Sequence, residues 1–193
     1  MQIELIVMVI IFAYLLGSIS TAIVTCKAMG MPDPRRVGSE NPGATNVHKI
    51  CGKKAAAITL AGDSLKGVAP VVLGASLGAD EVTLSLIALA AFLGHLYPVF
   101  FNFKGGKGVA TAFGVILGLS LPVAVAMLIM WLSVYFLFKL SSLGALSTAT
   151  VTPLFFFFLD GSIIYAIMSG LLSIMLIWRH RSNIKKIIDG TED

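Results

Sequence analysis

Seven apolar stretches joined by short polar segments leave this chain almost no way to fold in water. The first, residues 5–26, runs 22 residues without a charge, enough to cross about 30 Å of hydrocarbon at about 1.5 Å per helical residue. Six more follow, at residues 55–79 (interrupted by Asp63 and Lys66), 82–101, 109–119, 122–138, 140–159 and 162–178. The composition agrees. Of 193 residues, 57% are hydrophobic and 12% charged, against about 45–50% and about 25% in typical soluble domains, and the mean hydropathy is +0.93. A soluble globular domain, a disordered chain and a disulfide-stapled secreted scaffold are thereby excluded. The first charge is Glu4 and no basic region precedes the opening stretch, so it reads as a retained span rather than a cleaved signal peptide. Two cysteines without CxxC spacing argue against a disulfide framework or a zinc cluster.

Charge placement decides how the stretches are counted. The fourth has 11 residues and reaches only about 17 Å as a helix; fusing it with the fifth across residues 118–122 would make one long span. With seven crossings, six Lys and Arg fall in residues 27–54, two in 102–108, Lys139 makes one and four lie in 179–193. All thirteen then share one side, and only Lys66 lies inside a span. The opposite side carries Asp80, Glu81 and Asp160 and no Lys or Arg. By the positive-inside rule the basic side is cytoplasmic. Fusion would instead put Lys139 and the basic tail on the side opposite the other two basic segments. The expectation is an all-α integral membrane protein, one domain over residues 1–193. It is a seven-transmembrane-helix bundle with a short fourth helix, N-terminus outside and C-terminus cytoplasmic. GxxxG spacings at Gly74 and Gly78 and at Gly114 and Gly118 permit close helix approach but carry no functional weight. Phe155 to Phe158 read as lipid-facing or packed apolar surface.

Nearly every unusual polar residue lies in the three cytoplasmic segments, 27–54, 102–108 and 179–193. The first contains DPRRVGSENPGATN, which sets Arg35 and Arg36 beside Ser39, Asn41, Thr45, Asn46 and two glycines. Arg presents a planar fork to phosphate oxygens, and Asn can orient a hydroxyl or carbonyl. A turn-rich loop whose cations merely set orientation is the alternative. The second is FKGGKGVAT, where Lys104 and Lys107 alternate with Gly105, Gly106 and Gly108 directly before an apolar helix. Backbone amides at a helix start make an anion site; a plain glycine turn with two snorkelling lysines is the bland reading. A Walker A loop is excluded, because Phe101 and Phe103 lie where glycine would be needed and Gly108 follows Lys107.

The third segment, WRHRSNIKKIIDGTED, has Ile184, Ile187 and Ile188 at i, i+3, i+4, the pattern of a short interfacial helix. Arg179, His180 and Asn183 stand at its start and Glu192 near its end. A basic cap on anionic lipid is the alternative. Asp63 and Lys66, at i, i+3 in the second apolar stretch, share a helix face at a depth where each charge costs roughly 2.5–3.5 kcal/mol. They read equally as a buried structural pair or as a wall of the site. His95, before Tyr97 and Pro98, reads as a hydrogen-bonded helix-end histidine or as a base. The HxxxxD acyltransferase dyad, the DGxxAR signature and HExxH are all missing.

The three basic segments resemble the three motifs of the bacterial acyl-phosphate:glycerol-3-phosphate acyltransferase family, known as PlsY. They read RxxGSxNPGATN at residues 35–46, GHxYPVFFxFKGGKGVAT at 94–111, and RHxxNI with a later GxE at 179–192. One departure is Lys186, where the family pattern usually carries Arg; Lys lacks the bidentate fork. The resemblance implies transfer of a fatty acyl group from acyl phosphate to the sn-1 hydroxyl of glycerol 3-phosphate. The products are lysophosphatidic acid and phosphate, made for phospholipid biosynthesis at the bacterial inner membrane. It implies Arg35, Ser39, His180 and Asn183 as catalytic residues. Asn41, Thr45, Asn46 and the loop Lys104, Gly105, Gly106, Lys107 and Gly108 would bind substrate. Arg36, His95, Arg179 and Glu192 in the motifs, and Asp63 and Lys66 on the reading of the residues themselves, are the expected supporting residues.

The residues fit that reaction on their own terms, since both substrates carry phosphate and acyl phosphate is already activated. Direct attack of the glycerol hydroxyl on the acyl carbonyl is expected. Cations would neutralise phosphate, and amides or Asn would stabilise the oxyanion. Membrane lipids are the surroundings; no nucleic acid, cofactor, metal or catalytic protein partner is expected. A transporter of a phosphorylated metabolite is the rival reading, disfavoured by the lack of a detectable repeat. A non-catalytic membrane subunit that binds anionic lipid is the third.

Overall fold

The computed structural model describes residues 2–192, and every regular element among them is helical. Four helical segments are long and apolar enough to cross a membrane, or six if each of two bent pairs is one span. The chain divides after Leu119 into two compact units.

In the first unit, the opening apolar stretch is not one helix. Helix α1 (Ile3–Gly17) and helix α2 (Thr21–Ala28) meet at a 44° bend. The uncharged run of residues 5–26 carries no mark of this break. Ser18 Oγ donates back to the Tyr14 carbonyl at 2.8 Å, and Ser20 caps α2 by accepting from the Ile23 amide. Serine competes for backbone partners in this way and so favours helix ends. Helix α3 (Ala44–Ser76) begins well before the apolar stretch at residue 55, so the later part of the first basic segment is helical rather than loop. Gly52, at φ 81°, kinks it.

Helix α4 (Glu81–Leu96) starts on an Asp80 cap to the Thr83 amide at 2.8 Å and leads into a 3-10 turn, Val99–Phe101. Helix α5 (Val109–Leu119) is the short fourth stretch, with the bounds read from the sequence. Two crossings bring backbones together. A Cβ on Gly17 would meet the Ala91 carbonyl and one on Gly94 the Tyr14 carbonyl, which joins α1 to α4. One on Gly114 would meet the Ser64 carbonyl and one on Gly67 the Thr111 carbonyl, which joins α3 to α5. Small residues at such crossings are how helices associate where lipid removes the hydrophobic drive.

The second unit holds helices α6 (Leu121–Phe138), α7 (Ser141–Phe155), α8 (Ile163–Arg179) and α9 (Arg181–Ile188). Ser120 is extended and α6 opens on Leu121–Pro122, so the fourth and fifth apolar stretches are separate helices. Trp131 stacks on Tyr135 with centroids 5.1 Å apart and sits against Gly144 of α7. Ser173 Oγ of α8 donates to the Ala149 carbonyl of α7 at 2.6 Å. Helix α7 runs into a π turn, Phe156–Asp160. Of its aromatics, Phe156 is buried against Tyr165, while Phe157 and Phe158 are exposed. Helix α9 leaves α8 at 60° and carries the isoleucines of the amphipathic tail.

Candidate active site

The loop between α2 and α3 is wound around Asn46. This buried side chain uses both ends of its amide: Nδ2 donates to the carbonyls of Pro34 (2.9 Å) and Val37 (3.0 Å), and Oδ1 accepts from the Ser39 backbone amide at 3.0 Å. Gly38 lies beneath it at φ 68°, where a side chain would strike Oδ1. Asn46 therefore shapes the loop. Ser39 and Thr45 are exposed, Asn41 is half-buried with its carbonyl accepting from the Gly43 amide, and Arg36 faces solvent.

Arg35 is held by a residue that the motif reading passed over. Asp33 accepts from the Arg35 backbone amide at 2.9 Å and from Nε and Nη2 of its guanidinium, the latter at 2.7 Å. The guanidinium beside it keeps the Asp33 carboxyl below the ordinary carboxylate range, against the opposing effect of partial burial. An Asp accepting from the amide two residues on is a standard turn device, so Asp33–Pro34–Arg35 carried a legible signal. The other edge of Arg35 reaches the second loop, with Nη1 3.4 Å from the Phe101 carbonyl and Cζ 6.0 Å from the Phe101 ring.

That second loop is turned by the left-handed residues Asn102 and Phe103 (φ 55° and 58°), and the Pro98 carbonyl accepts from Phe103. Lys104 is exposed and Lys107 half-buried, while Gly105, Gly106 and Gly108 are buried. A Cβ on Gly105 would meet the His95 and Leu96 carbonyls; one on Gly106 would meet the His95 ring and the Pro42 carbonyl. Gly108, at φ 90°, lies on Phe92 and Leu96, and its carbonyl accepts from Ala112 in the first turn of α5. The two cationic, glycine-bearing loops are thus in contact, through Arg35 and Phe101 on one edge and Pro42 and Gly106 on the other.

Below them, Asp63 and Lys66 form an ion pair at 2.8 Å with both side chains nearly inaccessible. Lys66 Nζ also donates to the Ile19 carbonyl at the break between α1 and α2, again at 2.8 Å. His95 Nδ1 lies 3.8 Å from Asp63 Oδ1. Cys26 and Cys51 are free and buried, with their sulfurs 3.0 Å apart. Among the described residues no three His, Cys, Asp or Glu side chains gather as metal ligands would.

The third motif lies in the second unit, at the turn from α8 to α9. His180 is buried and its Nδ1 lies 2.8 Å from the Leu176 carbonyl. A carbonyl only accepts, so Nδ1 carries the proton and Nε2 is the basic nitrogen of the neutral ring. Asn183 Nδ2 donates to Glu192 Oε1 at 2.6 Å. Glu192 thereby fixes which way the Asn183 amide faces. Arg179 is half-buried beside His180.

Residues 7–190 match the family model described as glycerol-3-phosphate acyltransferase. A glycerol-3-phosphate acyltransferase from Hydrogenovibrio crunogenus is 50% identical over 182 residues, covering 94% of this chain and 87% of that one. Its namesake from Thioalkalivibrio sulfidiphilus is 52% identical over 180 residues, covering 93% and 89%. Among solved structures, the glycerol 3-phosphate form of PlsY (YgiH), an integral membrane glycerol 3-phosphate acyltransferase, aligns with TM-score 0.93. It is 40% identical and covers 97% of this chain and 94% of that one. The lysophosphatidic acid form of PlsY aligns with TM-score 0.91 at 39% identity and the same coverage.

Proposed function

This chain belongs to the PlsY family of glycerol-3-phosphate acyltransferases, a multi-pass integral membrane family, and from that premise we propose that it acylates glycerol 3-phosphate. The donor is acyl phosphate and the acceptor the sn-1 hydroxyl. The hydroxyl oxygen attacks the acyl carbonyl, the new ester C–O bond forms, and the bond from the acyl carbon to the phosphate oxygen breaks. Inorganic phosphate leaves with the hydroxyl proton, and lysophosphatidic acid remains. An activated donor removes the need for an acyl-enzyme, so positioning and charge neutralisation carry the catalysis.

The observation that carries this reading is the contact between the Arg35 loop and the Lys104–Gly108 loop. Two phosphate-bearing substrates need two cationic cradles close enough for their reacting ends to meet, and those loops touch along two edges. Lys104, Lys107 and the amides of residues 105–108 take the phosphate of glycerol 3-phosphate at the start of α5. Arg35 neutralises the donor phosphate, with Ser39, Asn41 and Thr45 lining the same loop and Asn46 holding its shape. His180, through Nε2, and Asn183 contribute to the chemistry, supported by Arg179 and Glu192. Arg36 adds to the positive field. We assign the whole chain, residues 1–193, to one catalytic domain. It crosses the inner membrane seven times with α5 as the short crossing, and its motif segments face the cytoplasm, in keeping with the one-sided Lys and Arg.

The test is to mix purified protein with palmitoyl phosphate and labelled glycerol 3-phosphate, without acyl-CoA or acyl carrier protein. Labelled lysophosphatidic acid supports the reading; a covalently acylated Ser39 or Cys51 during turnover refutes direct transfer.

A further inference from the structure

We propose that His95 is a positioning residue that seats the loop Gly105–Gly106, and that the buried Asp63–Lys66 pair sets its orientation. The inference rests on the reading above, in which that loop binds glycerol 3-phosphate.

His95 ends α4 and meets two other parts of the first unit, the Gly105–Gly106 loop and Asp63 of α3. Its own carbonyl lies under Gly105, and its ring lies under Gly106, so that a Cβ at either position would collide. Both glycines are therefore fitted to this histidine, and the loop backbone cannot move toward α4 without displacing it. The Nε2 side of the ring faces Gly106, while Nδ1 faces Asp63 Oδ1 at 3.8 Å. That separation is too long for a direct hydrogen bond yet short enough for the carboxylate to favour one face of the ring over its flipped alternative. Asp63 in turn is fixed by Lys66 at 2.8 Å, and Lys66 by the Ile19 carbonyl that the break between α1 and α2 leaves outside a helix. The result is a rigid path from the first helix pair, through three buried side chains, to the backbone that cradles phosphate.

A purely structural role accounts for this arrangement poorly. Replacing a buried ion pair with apolar side chains of similar volume is often neutral or stabilising, so stability alone gives little reason to keep Asp63 and Lys66 in an apolar bundle. Their placement one side chain below the loop supplies a reason. Amides that bind an anion must be held to within a fraction of an ångström, and a misplacement of about 1 Å costs on the order of a hundredfold in rate.

The test is steady-state kinetics on the full-length protein in detergent, with each substrate varied in turn, for the wild type, His95→Ala, His95→Gln, His95→Asn and Asp63→Asn. His95→Ala is expected to raise KM for glycerol 3-phosphate roughly tenfold while KM for palmitoyl phosphate stays within about twofold. His95→Gln places its amide near the position of Nε2 and should restore most of the loss. His95→Asn, whose amide falls near Nδ1, should not. Asp63→Asn should shift the same KM in the same direction by a smaller factor. If His95→Ala fails to fold, the contrast between Gln and Asn carries the same information. Equal changes in both KM values, a fall in kcat alone, or identical behaviour of Gln and Asn would overturn the proposal. A wild type that makes no lysophosphatidic acid would instead remove the functional reading on which it rests.

Discussion

The Ser39 amide and the Asn46 side chain, seven residues apart, are joined by a 3.0 Å hydrogen bond, while the same Asn46 amide donates to the carbonyls of Pro34 and Val37. Ser39 is presented by that staple. Asn46→Asp keeps the acceptor for Ser39 but replaces two donors with an oxygen facing two carbonyls. Each buried group left unsatisfied costs about 1–3 kcal/mol. We expect Asn46→Asp to lose at least tenfold in kcat/KM and to unfold at lower temperature. Asn46→Ala should be comparably impaired, and activity together with thermal unfolding in detergent would check both.

Asp33 holds Arg35, and the pair has a definite pH signature. The Asp33 carboxyl lies below its ordinary value because Arg35 donates to it. A carboxylate whose folded pKa is depressed contributes stability above the unfolded value of about 3.9, and that contribution is lost as pH falls through the folded pKa. Melting temperature should therefore decline on acidification below about pH 4, and Asp33→Asn should flatten this part of the profile. The pair is partly exposed, so the change should be small. A larger effect is expected on Arg35→Lys, which loses the fork shared between Asp33 and Phe101. Kinetics of that variant with palmitoyl phosphate varied would report it.

Gly114 lets α5 approach α3 to backbone contact, since a Cβ would strike the Ser64 carbonyl. Gly114→Ala forces the helices apart, and overpacking of this kind costs about 1–3 kcal/mol. The expected result is a lower melting temperature, whereas Gly170→Ala in α8, where a Cβ meets nothing within 4 Å, should leave it unchanged or slightly raised.

The charge pair in α3 should behave asymmetrically. Lys66→Met alone leaves Asp63 buried without its partner, a loss of about 3–5 kcal/mol. Adding Asp63→Leu should recover much of that stability. The double variant would still lack the group that orients His95, so folding and glycerol 3-phosphate KM should separate. A double variant less stable than Lys66→Met would contradict the pairing.

Much of this was legible in the sequence because hydrocarbon imposes simple lengths. The apolar runs 109–119 and 122–138 became α5 and α6 almost residue for residue, and the isoleucine spacing foretold α9. The break after Gly17 was hidden. Counting uncharged residues cannot detect a backbone turned aside by Ser18 and Ser20, nor a carbonyl satisfied by a lysine 47 residues away. The helix from Ala44 to the kink at Gly52 has no apolar run to mark it, because a partly polar helix above the apolar layer needs none. Long-range pairings such as Cys26 with Cys51, 25 residues apart, leave no local pattern. For the site, the motifs named Arg35, Asn46 and the glycines, and the Asp33–Arg35 turn left a local signal, but the packing of His95 beneath two of those glycines leaves no pattern in the sequence.

The most direct measurement counts products. Purified protein in nanodiscs, given palmitoyl phosphate and labelled glycerol 3-phosphate, should release about one inorganic phosphate for each sn-1 lysophosphatidic acid formed, as the balanced transfer requires. Palmitoyl-CoA offered instead should give none. Phosphate release without labelled lipid, or equal turnover with palmitoyl-CoA, would refute direct acyl transfer from acyl phosphate.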